Sequence, residues 1–136
     1  AHGRETVLVV EDEEQIRGLE CGILRANGYT VLATGDSREA LRICREHSEP
    51  IHLLITDIAM PHMNGRDLVH HAAPLRPMMQ VLYVAGHTDD DEASSAEKIE
   101  RSSFLQKPFA CETLLSRVRQ LLDGTEKAAA GSRSPQ

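Results

Sequence analysis

Apolar and polar positions follow two rhythms along this chain. Nearly unbroken apolar runs occur at Val7 to Val10, Thr30 to Thr34, Ile51 to Thr56, Val81 to Val84 and Phe104-Leu105. Between them, apolar residues return every three or four positions. A short continuous run marks a strand covered on both faces, and the longer spacing marks a helix with one buried face. Together they predict strand and helix in alternation, five times over.

Polar residues punctuate this pattern. Asp12-Glu13-Glu14-Gln15 reads as a capping box ahead of a helix carrying Ile16, Leu19 and Ile23, ended by Asn27-Gly28. Asp36 and Glu39 form a second box for a helix bearing Ala40, Leu41, Cys44 and His47. Met60 to Gly65 reads as a loop, from which Asn64 caps a helix through Leu68, Val69 and Ala72 that ends before Pro74. Residues 89–100 are acidic and poor in large apolar side chains, a weak helix that Thr88 would cap. The last helix has a full stripe of Leu114, Leu115, Val118, Leu121 and Leu122, and Gly124 is its expected stop. Ala110 gives its start no side-chain acceptor.

Five such units with right-handed crossovers predict an α/β fold, a three-layer doubly wound parallel five-stranded sheet. At 136 residues the chain suits one flavodoxin-like unit better than a full dinucleotide-binding fold. The domain is expected over residues 6–123, between disordered segments 1–5 and 124–136.

Composition narrows the function. The net charge of −6 argues against nucleic acid as a direct partner, since neutralising phosphates needs a basic face. The absence of Trp and the low aromatic content leave no base-stacking platform. No stretch approaches the ~20 apolar residues of a membrane span, and no signal peptide opens the chain, so it reads as cytoplasmic. Cys21, Cys44 and Cys111 are odd in number and widely spaced, which reads as buried thiols without a disulfide framework. The histidines His62, His70, His71 and His87 lack zinc-ligand spacing.

Charge sits at the ends of the apolar runs. Glu11–Asp12 follow the first, Asp57 the third, and Lys107-Pro108 the fifth. In a parallel sheet these ends share one edge, where open α/β sheets bind ligands. Three carboxylates gathered there repel one another and call for a divalent cation, and a lysine beside them offers a counter-charge for a phosphoryl group. Singly, each has a plain structural reading: Asp12 as a helix cap, Glu11 as a solvated loop charge, Asp57 as a turn residue, Lys107 as the entry to a helix.

In order and in context, these motifs resemble the receiver domains of two-component response regulators from Val7 to about Leu122. The resemblance is carried by Val9-Val10-Glu11-Asp12-Glu13, Thr56-Asp57 with Met60-Pro61 and Gly65, Ala85-Gly86, and Phe104 to Phe109. The wording of Val81 to Asp90 and of Phe104 to Phe109 is most similar to receivers at the C-terminus of hybrid sensor histidine kinases. The resemblance implies strand order 2-1-3-4-5 and Asp57 as acceptor of a phosphoryl group from a phospho-histidine. It implies Mg²⁺ held by Glu11, Asp12, Asp57 and the backbone carbonyl of Ala59, with Lys107 pairing a phosphoryl oxygen. It also implies a cis bond between Lys107 and Pro108. The implied partner is a histidine kinase or a histidine phosphotransfer protein. No output domain follows Leu122, so the domain is expected to be free-standing or the terminal receiver of a longer kinase. Any catalysis would be limited to its own phosphorylation and dephosphorylation.

One position departs from the family. Receivers end the fourth strand with Ser or Thr, and here that residue is Ala85, whose methyl group cannot hydrogen-bond a phosphoryl oxygen. The aromatic partner of that switch is Phe104, which has no hydroxyl to report with. An alternative is therefore a docking module whose partner ignores phosphorylation. A small aspartyl phosphatase would need a second acid two residues after Asp57, where Ala59 stands. No phosphate-cradling loop follows the first strand, as a flavin carrier would require.

Overall fold

The computed structural model describes residues 3–86 and 103–133, with 125–133 as backbone only. The chain runs β1 (Thr6–Val10), α1 (Glu14–Ala26), β2 (Thr30–Thr34), α2 (Ser37–Glu46), β3 (Leu53–Asp57), α3 (Gly65–Ala72), β4 (Gln80–Ala85), β5 (Phe104–Gln106) and α4 (Cys111–Arg133). All strand pairs are parallel and the sheet order is β2-β1-β3-β4-β5, as the resemblance implies. The expected helix over 89–100, its cap Thr88, and His87 lie outside the described residues.

Apolar continuity follows from burial on both faces. Val7, Val9, Leu53, Ile55, Leu82, Val84 and Leu105 pack with Cys21 and Leu24 of α1 and with Leu114, Val118, Leu121 and Leu122 of α4. Leu8, Val10 and Leu54, one residue out of phase, pack on the other face with Ala40 and Cys44 of α2 and Leu68 and Ala72 of α3. Because side chains alternate along a strand, two covered faces require apolar residues at every position. The register pairs Val10 with Thr34 and Thr56, Asp57 with Val84, and Ala85 with Gln106. The strand ends that carry the charges therefore lie along one edge.

Several local expectations are corrected. In α1 the buried residues are Glu20, Cys21 and Leu24, whereas Leu19 is 52% exposed and Ile16 and Ile23 are half-buried. The two apolar sets lie close around the helix, and a carboxylate in the core set hid the true face. Glu13 is the N-cap and no side chain caps it. In α2, Asp36 accepts from the Arg38 amide at 2.8 Å, but Glu39 turns outward to Arg42, leaving half a capping box. His47 follows the helix as its C-cap. Asn64 caps α3 as read, accepting from the Asp67 amide at 2.9 Å, and α1 stops at Asn27 with Gly28 at φ 95°.

Residues 3–5 and the last helix make contacts with the rest of the domain. The Gly3 amide donates to the Asn27 carbonyl at 3.0 Å. Glu5 accepts from Arg119, which also reaches Asp123 and the Tyr29 hydroxyl, tying the start of the chain to α4. α4 runs past Gly124, the expected helix stop, to Arg133. Glycine costs a helix only about 1 kcal/mol, and Glu126 to Ala130 are strong helix formers. Cys21 and Cys44 are buried, but Cys111, at the first turn of α4, is exposed.

Arg76, just beyond α3, closes the end of α2. Its guanidinium donates to the carbonyls of Cys44 at 2.8 Å, Glu49 at 3.1 Å and His47. Carbonyls at a helix C-terminus have no partner within the helix, and here a distant side chain satisfies them.

Candidate functional site

Glu11 extends the sheet by one residue, its amide donating to the Thr34 carbonyl at 3.1 Å. It continues the phase of Val7 and Val9, so its side chain enters the α1 side of the sheet and is 1% exposed. Its Oε2 accepts from the Glu13 amide at 3.1 Å. Asp12, the next residue, is exposed. Asp57 ends β3 in the phase of Leu53 and Ile55 and is buried, with Oδ1 accepting from the Ala59 amide at 3.2 Å. Gly65 allows this turn to close. Its amide donates to the Ile58 carbonyl at 2.8 Å, and a Cβ there would stand 2.3 Å from the Asp57 carbonyl oxygen.

Lys107 enters from the far side. Its backbone amide donates to the Ala85 carbonyl at 2.8 Å, and its bond to Pro108 is cis. Nζ donates to Asp57 Oδ2 at 2.9 Å and lies 3.0 Å from Glu11 Oε1 and 3.9 Å from Glu13 Oε1. The lysine thus bridges two buried carboxylates from strands that neighbour each other.

Burial dominates the electrostatics. It pushes Glu11 up to about 7, with the Asp57 charge adding to the rise and the Glu13 amide and Lys107 opposing it. Burial alone would lower Lys107, but hydrogen bonds and charges from Asp57 and Glu11 outweigh it and raise the ammonium above its ordinary value. Glu20, a residue the sequence reading passed over, lies within electrostatic range of the cluster. It is 1% exposed, neither carboxyl oxygen has a hydrogen-bond partner among the described residues, and burial and the Glu11 charge push it up to about 8. Its only sequence signal is a glutamate flanking a core cysteine.

Glu11, Asp12 and Asp57 each offer an oxygen, and the three oxygens lie within 4.8 Å of one another. An all-oxygen carboxylate set with one exposed member suits a hard cation that keeps several waters, as Mg²⁺ does. Ala59 sits beside this set, its amide turned to Asp57. Ala85 is fully buried in a small apolar cluster with Ile58, against which Tyr83 and Phe104 pack. Beside the charges, Ile16, Leu19, Lys107, Pro108 and Phe109 line an apolar cleft of about 320 Å³.

Comparison with known proteins agrees with this architecture. The response regulator receiver domain family matches residues 7–119. The chain is 31% identical over 121 residues to the sensor kinase CckA of Brucella abortus, covering 89% of this chain and 13% of that protein. It is 29% identical to a putative NtrX-like response regulator of Rickettsia bellii, over 88% of this chain and 25% of the relative. The chain thus spans only an eighth to a quarter of these curated relatives. A solved receiver domain of the hybrid histidine kinase CckA aligns with a TM-score of 0.71 at 34% identity, covering 86% and 98% of the two chains. A solved receiver domain protein from Clostridium thermocellum aligns with a TM-score of 0.81 at 30% identity, covering 91% and 98%. Among the described residues, no helix is long and apolar enough to cross a membrane.

Proposed function

The chain belongs to the response regulator receiver domain family of two-component systems, and on that premise we propose that Asp57 accepts a phosphoryl group from a phospho-histidine. The observation that carries this reading is the Lys107 ammonium, held 2.9 Å from Asp57 and 3.0 Å from Glu11 beside an acidic trio. An Asp57 oxygen attacks phosphorus, the new O–P bond forms as the P–N bond breaks, and the electron pair leaves with the imidazole nitrogen. A carboxylate attacking a charged phosphoryl group gains from positioning and charge neutralisation far more than from covalent assistance.

The chain's own residues divide that work. The Ala59 amide orients one Asp57 oxygen, and Lys107 moves from the other oxygen to the arriving phosphoryl group as a compact point charge. Glu11, Asp12, Asp57 and the carbonyl of Ala59 would hold Mg²⁺. When bound, that ion neutralises the carboxylates and the transferring phosphoryl oxygens. The cleft formed by Ile16, Leu19, Pro108 and Phe109 adjoins Lys107, as a docking helix carrying the phospho-histidine requires. A histidine kinase or phosphotransfer protein is the proposed donor.

Ala85 favours a second reading, in which the domain is a docking module whose partner ignores phosphorylation. Its side chain is a fully buried methyl group among Ile58, Tyr83 and Phe104, with no hydroxyl to follow the phosphoryl group. A docking partner would then bind with equal affinity whether or not the phosphate mimic beryllofluoride is present. The main reading is tested by phosphate-affinity gel shift with a small-molecule phosphodonor and with phosphorylated kinase, each with Mg²⁺. A shift abolished in Asp57→Asn supports it, and no shift with either donor overturns it.

A further inference from the structure

Arg17 lies on α1, outside the acidic set, yet its side chain reaches back to it. Its amide makes the first turn of the helix, donating to the Glu13 carbonyl at 2.9 Å. Helical side chains lean toward the N-terminus, and this one carries Nη1 to the Glu11 carbonyl oxygen at 2.8 Å. The Glu11 backbone is thereby fixed on both sides, its amide by Thr34 and its carbonyl by Arg17. That carbonyl belongs to the peptide joining Glu11 to Asp12, so fixing it sets where the exposed Asp12 carboxylate starts from.

A second element makes room for the contact. Gly35, in the loop after β2, packs against the same place. A Cβ there would stand 2.8 Å from Arg17 Nη1, 3.4 Å from the Glu11 carbonyl oxygen and 3.6 Å from Asp12 Cα. The first distance is too short for any real contact, and the guanidinium, as the end of a flexible side chain, would be what moves. The other two are ordinary contacts.

We propose that Arg17 is a positioning residue for the cation site, locking the Glu11–Asp12 peptide by a hydrogen bond that the missing side chain of Gly35 permits. The inference rests on the Mg²⁺ reading above. Arg17 touches neither cation nor phosphoryl group. As a positive charge near the carboxylates it opposes cation binding, while as a hydrogen-bond donor it favours it. The two effects have opposite signs and can be separated.

The experiment is calorimetric titration of the full chain with MgCl₂, together with amide NMR shifts of Glu11 and Asp12 without metal. Gly35→Ala keeps the charge and displaces the contact, and Arg17→Met removes both. Gly35→Ala is expected to weaken Mg²⁺ binding about tenfold, the low end of what a hydrogen bond from a charged donor supports. It should also move the metal-free Glu11 and Asp12 amides, with little change in melting temperature. The double variant Arg17→Met/Gly35→Ala should bind as Arg17→Met does, because the contact can be lost only once. Arg17→Met, which also loses the opposing charge, should bind Mg²⁺ more tightly than Gly35→Ala. Unchanged affinity in Gly35→Ala overturns the assignment and leaves Arg17 as a mere repelling charge. Failure of the unaltered chain to bind Mg²⁺ overturns the underlying reading instead.

Discussion

Lys107 Nζ stands 2.9 Å from Asp57 Oδ2, joining residues fifty positions apart across the edge of the sheet. The same ammonium reaches Glu11 at 3.0 Å, so one cation balances two buried carboxylates. Breaking a buried ion pair by removing one partner typically costs about 3–5 kcal/mol, because the other is left uncompensated. Lys107→Met should therefore lower metal-free stability by about 3 kcal/mol at pH 8. The loss should shrink toward pH 5, where Glu11 takes up a proton, and also on adding Mg²⁺. Urea denaturation at both pH values, with and without MgCl₂, measures this.

Glu20 and Glu11 predict a pH dependence of definite sign. Both are raised in the folded chain, to about 8 and about 7, from 4.5. The folded state then holds protons that the unfolded state has released. Stability from these groups is complete below 4.5 and is lost as pH rises through 7 and 8. Each group contributes a slope of at most about 1.4 kcal/mol per pH unit. Metal-free denaturation between pH 5 and 8 should show stability falling, and Glu20→Gln, isosteric and neutral, should flatten the fall.

Glu5 works in the opposite sense. Its hydrogen bond to Arg119 holds it down at about 2, so its contribution is present above 4.5 and is lost as pH falls through 2. Glu5→Gln should weaken the domain at pH 6 and bring it closer to the unaltered chain at pH 2.5, as read by thermal melting.

Arg76→Ala should be purely structural. It strips donors from three carbonyls at the end of α2, and bonds from a charged donor are worth about 1.5–3 kcal/mol. A loss of about 2–3 kcal/mol in unfolding free energy is expected, with Mg²⁺ affinity unchanged in calorimetry.

Ala85→Thr should restore a response. The added atoms press on Ile58, Tyr83 and Phe104, and overpacking costs about 1–3 kcal/mol. In exchange, the hydroxyl can follow the phosphoryl group. With beryllofluoride and Mg²⁺, amide shifts in the unaltered chain should stay near Asp57, whereas in Ala85→Thr they should extend along β4 and β5.

The sheet and the charged set were legible because each rests on a local rule. Continuous apolar runs require two covered faces, and charges at their ends must meet once the strands are parallel. Asn64 and Asn27-Gly28 act locally, and each bounds its helix where the sequence expects. Glu20 is not legible, since a buried unpaired carboxylate defies the pattern that identifies a core face and so masks the buried side of α1. Arg76, Arg17 and Arg119 act on residues that only folding brings near. Gly124 does not stop α4, because one glycine is too weak a signal to end a helix whose next residues favour it.

The central claim is that Asp57 takes the phosphoryl group, and the most direct test is locating it chemically. The chain is incubated with a phosphodonor and Mg²⁺, the acyl phosphate is trapped by borohydride reduction, and the modified peptide is sequenced by mass spectrometry. Reduction at Asp57, absent without Mg²⁺, is the predicted result; modification at another residue, or none at all, would contradict it.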